Sequence, residues 1–336
     1  MSIQDTRLER GERLEGVASK AHVEAFTPCV DDYGRRAATF EGLGFHTAWL
    51  WAGVTGEDGR RYALLREHEV GCSYLYFGLE IAPDIWSDPG VRHANFPGVD
   101  DLYCGAVRYE PDGESHSISA TNPAYPAMEV SLSPTKHTWR EADWMDIAME
   151  PLGVAMRYRC PGEPDDFGYT SQICRVTGTV DGQVVQGFGG YDRYYGEPGV
   201  VWGQSKGFRF LEELWWVWAG EHADGRQEHG TAITGPGEFR VGFFHRDGEE
   251  PIAVNELAAD VEWEERDGRR LPVAATLRFA GREFKYRATG NVTIPGADLF
   301  INWVHGELTE SGSLVPVQLF SWLEFFKHLA TPGDAV

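Results

Sequence analysis

The chain has 336 residues, 42% of them hydrophobic and 24% charged, and 30 Lys and Arg against 52 Asp and Glu give a formal charge of −22. Such a surface repels nucleic acid and anionic membranes, so neither is expected as a partner. No apolar run reaches the ~18 residues of a membrane span and the charged N-terminus lacks a signal-like apolar core, which predicts a cytoplasmic protein with no membrane insertion.

Aromatic residues make up 13% of the chain, with 12 Trp, a surplus that suggests a wide apolar pocket as well as a core. Forty Gly and 18 Pro suit tight turns between short strands. Cys29, Cys72, Cys104, Cys160 and Cys174 are odd in number and widely spaced, which fits free thiols rather than a disulfide framework or a zinc site.

Residues 1–24 read as a polar N-terminal arm. Strands are then expected at Phe45–Trp51 and Tyr62–Leu65 around an Asp58-Gly59 turn, and at Cys72–Ile81. Ala82–Asp101 is loop-like and long enough to cover a site. Further strands follow at 102–109, 115–119 and 127–133. Trp139–Glu150 fits either a helix or a twisted strand, and Val154–Arg159 is again a strand.

Cys160–Gly168 (CPGEPDDFG) has the composition of a linker, which places the domain boundary between a first β domain at 25–165 and a second at 166–336. The second half opens on a hairpin, 172–180 and 183–190, across Asp181-Gly182. Strands at 208–219, 239–245, 260–264, 273–279, 283–288, 299–307 and 315–325 complete it. Six Asp-Gly pairs and weak helical periodicity predict an all-β chain of two tandem antiparallel barrels or sandwiches.

No dinucleotide fingerprint, phosphate loop, nucleophile elbow or zinc-helix motif is present. No metal site and no cofactor are therefore expected. His222 and His229 flank the Asp224-Gly225 turn, where two solvated histidines are the favoured reading over a metal site. His46 reads as a core histidine.

The chemistry-bearing stretch is Gly187–Gly196 (GFGGYDRYYG), at a strand end. Strand alternation puts Asp192 and Tyr194 on one face and Tyr191, Arg193 and Tyr195 on the other. Asp192 either pins a strand end by pairing or, if its face lines a lumen, is a desolvated carboxyl held protonated near neutrality. Such an acid can protonate an alkene, carbonyl or alcohol, with aromatic faces stabilising a developing cation.

Gln172–Gly182, a short strand, and then Gly187-x-Gly189-x-Tyr191-Asp192-Arg193-Tyr194-Tyr195-Gly196 resemble the signature of the carotenoid-hydratase (hydroxyneurosporene-synthase) superfamily of tandem lipocalin-like β domains. That resemblance implies an Asp192 proton donor; Tyr194 and Tyr195 stand where the family usually has a small polar residue and Trp. The expected activity is a cofactor-independent hydratase or dehydratase acting on a hydrophobic, terpenoid-like small molecule. A cofactor-free cyclase or isomerase, as in the family's Diels–Alderases, and a non-catalytic lipocalin-like carrier are the alternatives. Asp192 is expected to be the acid, Tyr194 and Tyr195 to position it or water, and Arg193 to tune its charge. Tyr191, Trp49, Trp51, Trp215, Trp216, Trp218, Trp303 and His305 are the expected substrate wall. A homodimer is compatible with the sequence.

Overall fold

The computed structural model describes residues 20–34, 39–68, 72–94, 104–112, 115–120, 128–142, 144–161, 166–196, 212–235, 237–294, 301–326 and 329. The first of its two sheets holds β1 (His22–Phe26), β2 (Thr39–Phe40), β3 (Leu43–Gly56), β4 (Arg61–His68), β5 (Cys72–Glu80), β6 (Gly90–Ala94), β7 (Cys104–Asp112), β8 (Ser115–Ala120), β9 (Met128–Leu132), β10 (His137–Glu141), β11 (Met145–Pro151), β12 (Ala155–Cys160), β13 (Phe167–Val180) and β14 (Gln183–Gly196). The second holds β15 (Leu214–Glu221), β16 (Gln227–Thr234), β17 (Arg240–Arg246), β18 (Ile252–Val254), β19 (Ala258–Arg266), β20 (Arg269–Phe279), β21 (Arg282–Asn291), β22 (Ile301–Glu310) and β23 (Gln318–Phe326). All pairings are antiparallel, and the described residues contain no α-helix, so none is long and apolar enough to cross a membrane. The expected all-β architecture of two tandem units is present.

Asp-Gly chemistry makes the turns. Asp181 and Gly182 have φ of 52° and 73°, and Asp267 and Gly268 have 53° and 75°. These are the paired left-handed conformations that a two-residue hairpin of matching twist requires.

In the first sheet β13 and β14 pair along their whole length, and β14 also pairs with β3 while β13 pairs with β11. The strands from β3 round to β11 therefore close into a ring through this hairpin. The second sheet is an open run from β18 to β19.

Strand alternation divides the apolar residues into three layers. Ala48, Leu50, Ala52 and Val54 of β3 enter the lumen of the first barrel with Trp139, Ile147 and Val176. Trp216, Trp218, Phe244, Phe284 and Phe325 fill the inside of the second sheet. The intervening residues, Trp49, Trp51, Tyr169, Val217, Trp303 and Trp322 among them, form a third layer where the two sheets pack on each other. That seam lies on the outer face of the first ring.

Five expectations change. The expected linker at Cys160–Gly168 joins β12 to β13, which pair with each other, and the sheets divide between Gly196 and Leu214 instead. Trp139–Glu150 is neither one helix nor one strand but β10, a turn and β11. Residues 82–101 contain β6, and β16 was not expected. The second residue pair of interest, His222 and His229, is buried rather than solvated, and the two side chains have different partners: His222 meets Glu228, and His229 faces His245 at a ring distance of 5.5 Å. Residues 1–19 of the expected arm, and 95–101 of the expected covering loop, lie outside the described residues.

Candidate active site at the seam between the sheets

The Gly-rich part of β14 works by close packing. A Cβ on Gly190 would come within 2.4 Å of the Trp51 indole, and a Cβ on Gly189 within 2.3 Å of the Trp51 carbonyl oxygen. The absent side chains let the Trp51 ring lie across β14. In that position its Nε1 donates to Asp192 Oδ2 at 2.6 Å. The glycines thus fix an indole beside the carboxyl group, and phosphate has no part in it.

Residues directly opposite in neighbouring antiparallel strands share a face. Ser171, Asp192, Trp49 and Glu67 form one such row across β13, β14, β3 and β4, and Tyr169 faces Tyr194 in the next. Asp192 is 1% exposed, and its Oδ1 has no hydrogen-bond partner among the described residues. Burial pushes its carboxyl up to about 7, against the lowering influence of Ser171, Trp51, Tyr169 and Arg193.

The second sheet brings its own carboxyl groups to the seam. Trp215, Glu324 and Trp303 form a row across β15, β23 and β22, and Trp303 Nε1 donates to Glu324 Oε2 at 2.7 Å. Glu212, just before β15, is buried and hydrogen-bonds to Glu324. Burial raises both groups, and the nearby Asp192 charge raises them further. Two carboxyls then share one proton, the arrangement that like charges adopt in a dry place.

Aromatic rings close the seam. Tyr169 meets Trp215 edge-on at 5.4 Å, and Trp51 stacks on Phe320 at 5.8 Å. Phe77 stacks on Trp322 at 5.9 Å and meets Trp303 at 5.4 Å. The arrangement offers a raised carboxyl, a carboxyl pair and electron-rich ring faces in one desolvated layer.

Of the expected site residues, Asp192, Tyr194, Trp49, Trp51, Trp215 and Trp303 are together in this layer. His305 is on it too, ring against Phe320, but its Nδ1 is held at 3.0 Å by Thr289 Oγ1. The rest lie elsewhere. Tyr191, Arg193 and Tyr195 point to the other face of β14, where the Arg193 guanidinium lies over both tyrosine rings. Trp216 and Trp218 are inside the second sheet. Alternation explains each: these residues are one position away from a seam residue. Sequence reasoning missed Glu212, Glu324, Glu67 and Tyr169. Glu324 carried a signal, a lone charge in an otherwise apolar strand (LFSWLEFF).

Neither a protein-family model nor a curated protein sequence matches the chain. Among solved structures its fold is similar to that of an AttH candidate from Nitrosomonas europaea, with a TM-score of 0.47, 11% identity and coverage of 85% of this chain and 94% of that one. It is also similar to kievitone hydratase from Nectria haematococca, with a TM-score of 0.45, 13% identity and coverage of 89% and 93%. At these identities the likeness is one of fold.

Proposed function

We propose that the protein is a hydro-lyase that adds water to, or removes it from, a hydrophobic, terpenoid-like small molecule held at the seam, by acid–base chemistry of its own side chains. The observation that carries this reading is the Asp192 carboxyl: buried, raised to about 7, held at Oδ2 by Trp51 and without a partner at Oδ1. An acid poised near the working pH combines availability of the proton with a driving force to transfer it.

In the hydration direction, Asp192 Oδ1 gives its proton to one carbon of an alkene, and the π electrons form the new C–H bond. The cation left on the other carbon is stabilised by the faces of Trp51, Tyr169 and Trp49. Water attacks that carbon and loses a proton to Glu324 of the carboxyl pair. Return of a proton from Glu324 to Asp192 resets the site. Dehydration runs the same steps backwards: protonated Glu324 gives its proton to the departing hydroxyl group, water leaves, and the Asp192 carboxylate takes a proton from the adjacent carbon, whose C–H electrons form the double bond. The resemblance of Gly187–Gly196 to the hydratase signature supports the same role for Asp192.

The contiguous ring contacts of Trp51, Phe320, Trp322, Phe77 and Trp303 favour a second reading, a cyclase or isomerase that holds a polyene folded. Mass spectrometry after incubation with prenyl alkenes, tertiary terpene alcohols and linear polyenes separates the two. Hydro-lyase action changes the substrate by one water, ~18 mass units, whereas cyclisation leaves the mass unchanged and shifts retention. Recovery of every compound unaltered contradicts both and favours a carrier.

A further inference from the structure

On the opposite face of β14 from Asp192 the structure holds a second polar cluster, inside the first barrel. Gln172 Oε1 accepts from Tyr33 Oη at 2.8 Å and from His137 Nε2 at 3.1 Å. The rings of Tyr33, His137 and Tyr191 meet one another at 5.3 to 6.0 Å. The Arg193 guanidinium lies 5.3 Å from the Tyr33 ring and 5.6 Å from the Tyr191 ring. Its Nε donates to Thr170 Oγ1 at 2.9 Å and its Nη1 to the Asp32 carbonyl oxygen, which ties the short 3-10 turn Val30–Tyr33 to the barrel.

Three atoms of this cluster have no hydrogen-bond partner among the described residues: Arg193 Nη2, Gln172 Nε2 and His137 Nδ1. All three side chains are 2% exposed or less. Leaving a buried donor or acceptor unsatisfied costs about 1–3 kcal/mol, more for a charged group, so three in one cluster are unlike ordinary packing. The guanidinium has no hydrogen-bonded carboxylate among the described residues, and the other buried arginine of this barrel, Arg66, is fully engaged by Glu141. The cluster is therefore a positive, donor-rich centre in an apolar lumen.

We propose that this centre binds a small organic hydroxycarboxylate, its carboxylate on Arg193 Nη2 and Gln172 Nε2 and its hydroxyl on His137 Nδ1. One guanidinium, with the Asp32 charge already nearby, matches a monoanion better than a phosphate dianion. Because Gln172 Oε1 takes the His137 Nε2 proton, the neutral ring presents Nδ1 as an acceptor, which a hydroxyl group satisfies and a bare carboxylate does not.

The test is calorimetric titration of the full chain with lactate, acetate and inorganic phosphate. Lactate binds saturably, acetate about tenfold more weakly for want of the hydroxyl, and phosphate not at all. Gln172→Glu keeps an acceptor for Tyr33 and His137 but replaces the donor with an anionic oxygen, and lowers lactate affinity at least about tenfold. Arg193→Lys keeps the charge without the planar fork and gives the same loss if the first variant fails to fold. Absence of saturable lactate binding, equal binding in a folded variant, or phosphate binding as tightly as lactate would overturn the proposal.

Discussion

The Trp51 indole and the Asp192 carboxyl form a single unit: Nε1 reaches Oδ2 at 2.6 Å because the ring lies across Gly190. The hydrogen bond favours the ionised carboxyl, and burial opposes it more strongly. The balance between them sets where Asp192 titrates.

Gly190→Ala places a methyl group within 2.4 Å of the ring, so Trp51 must move. Overpacking of this kind costs about 1–3 kcal/mol. The variant is expected to unfold at lower denaturant, shift its tryptophan emission and lose turnover together. Unchanged emission and activity would contradict the packing role of this glycine.

Trp51→Phe removes the donor but keeps a ring. With one lowering influence gone, the Asp192 carboxyl rises further. The alkaline limb of the pH–rate profile is expected to move to higher pH while folding persists. A limb that stays in place would separate Trp51 from the acid.

The unfolded chain releases the Asp192 proton near its ordinary 3.8, and the folded chain near 7. Folding therefore takes up a proton between these values, and this group's contribution to stability falls as pH rises through that window, by about 4 kcal/mol in all. Asp192→Asn removes that contribution. Relative to wild type the variant gains stability steadily between pH 4 and about 7 and then levels off. A constant difference across the range, read from denaturant unfolding, would show an ordinary carboxylate.

Buried histidines act in the opposite sense. Burial pushes His137 down to about 4 and His68, His229 and His305 to about 3. The unfolded chain protonates these rings near 6.5, the folded chain only far below. Their contribution is therefore present above 6.5 and lost as pH falls. His68, with neither ring nitrogen hydrogen-bonded among the described residues, is the simplest probe. His68→Leu is expected to make the loss of stability between pH 6.5 and 4 shallower by about one proton.

Arg66 and Glu141 form a buried bidentate pair in the first barrel, and Trp139 Nε1 adds a bond to Glu141 Oε1 at 2.6 Å. Glu141→Gln removes the charge that faces the buried Arg66 guanidinium and is expected to cost about 3–5 kcal/mol, whereas Arg66→Met with Glu141→Leu costs much less. A double-mutant cycle checks this.

The strand faces were legible in the sequence. Alternation separates Asp192 and Tyr194 from Tyr191, Arg193 and Tyr195, and the structure has the same split. What each face meets was not legible, because that depends on which sheet packs against it. The outside of the first ring is the seam, so the Asp192 face meets the second sheet and not a lumen. Glu324 joins Asp192 from more than a hundred residues away in a different sheet, and Glu212 from just before that sheet begins, a proximity no local pattern records. Trp216 and Trp218 were read with Trp215 as one wall, yet alternation around Trp215 sends them inside the second sheet. The Pro- and Gly-rich run at 160–168 carries turn chemistry, which is the same whether it joins two domains or two paired strands.

Carbon-13 NMR of protein labelled at the aspartate carboxyl, titrated from pH 4 to 9 and compared with Asp192→Asn, measures the Asp192 proton directly. One resonance absent from the variant is expected to titrate near 7. A resonance that titrates in the ordinary range near 4 would contradict a neutral acid at the seam, and with it the assignment of Asp192 as proton donor.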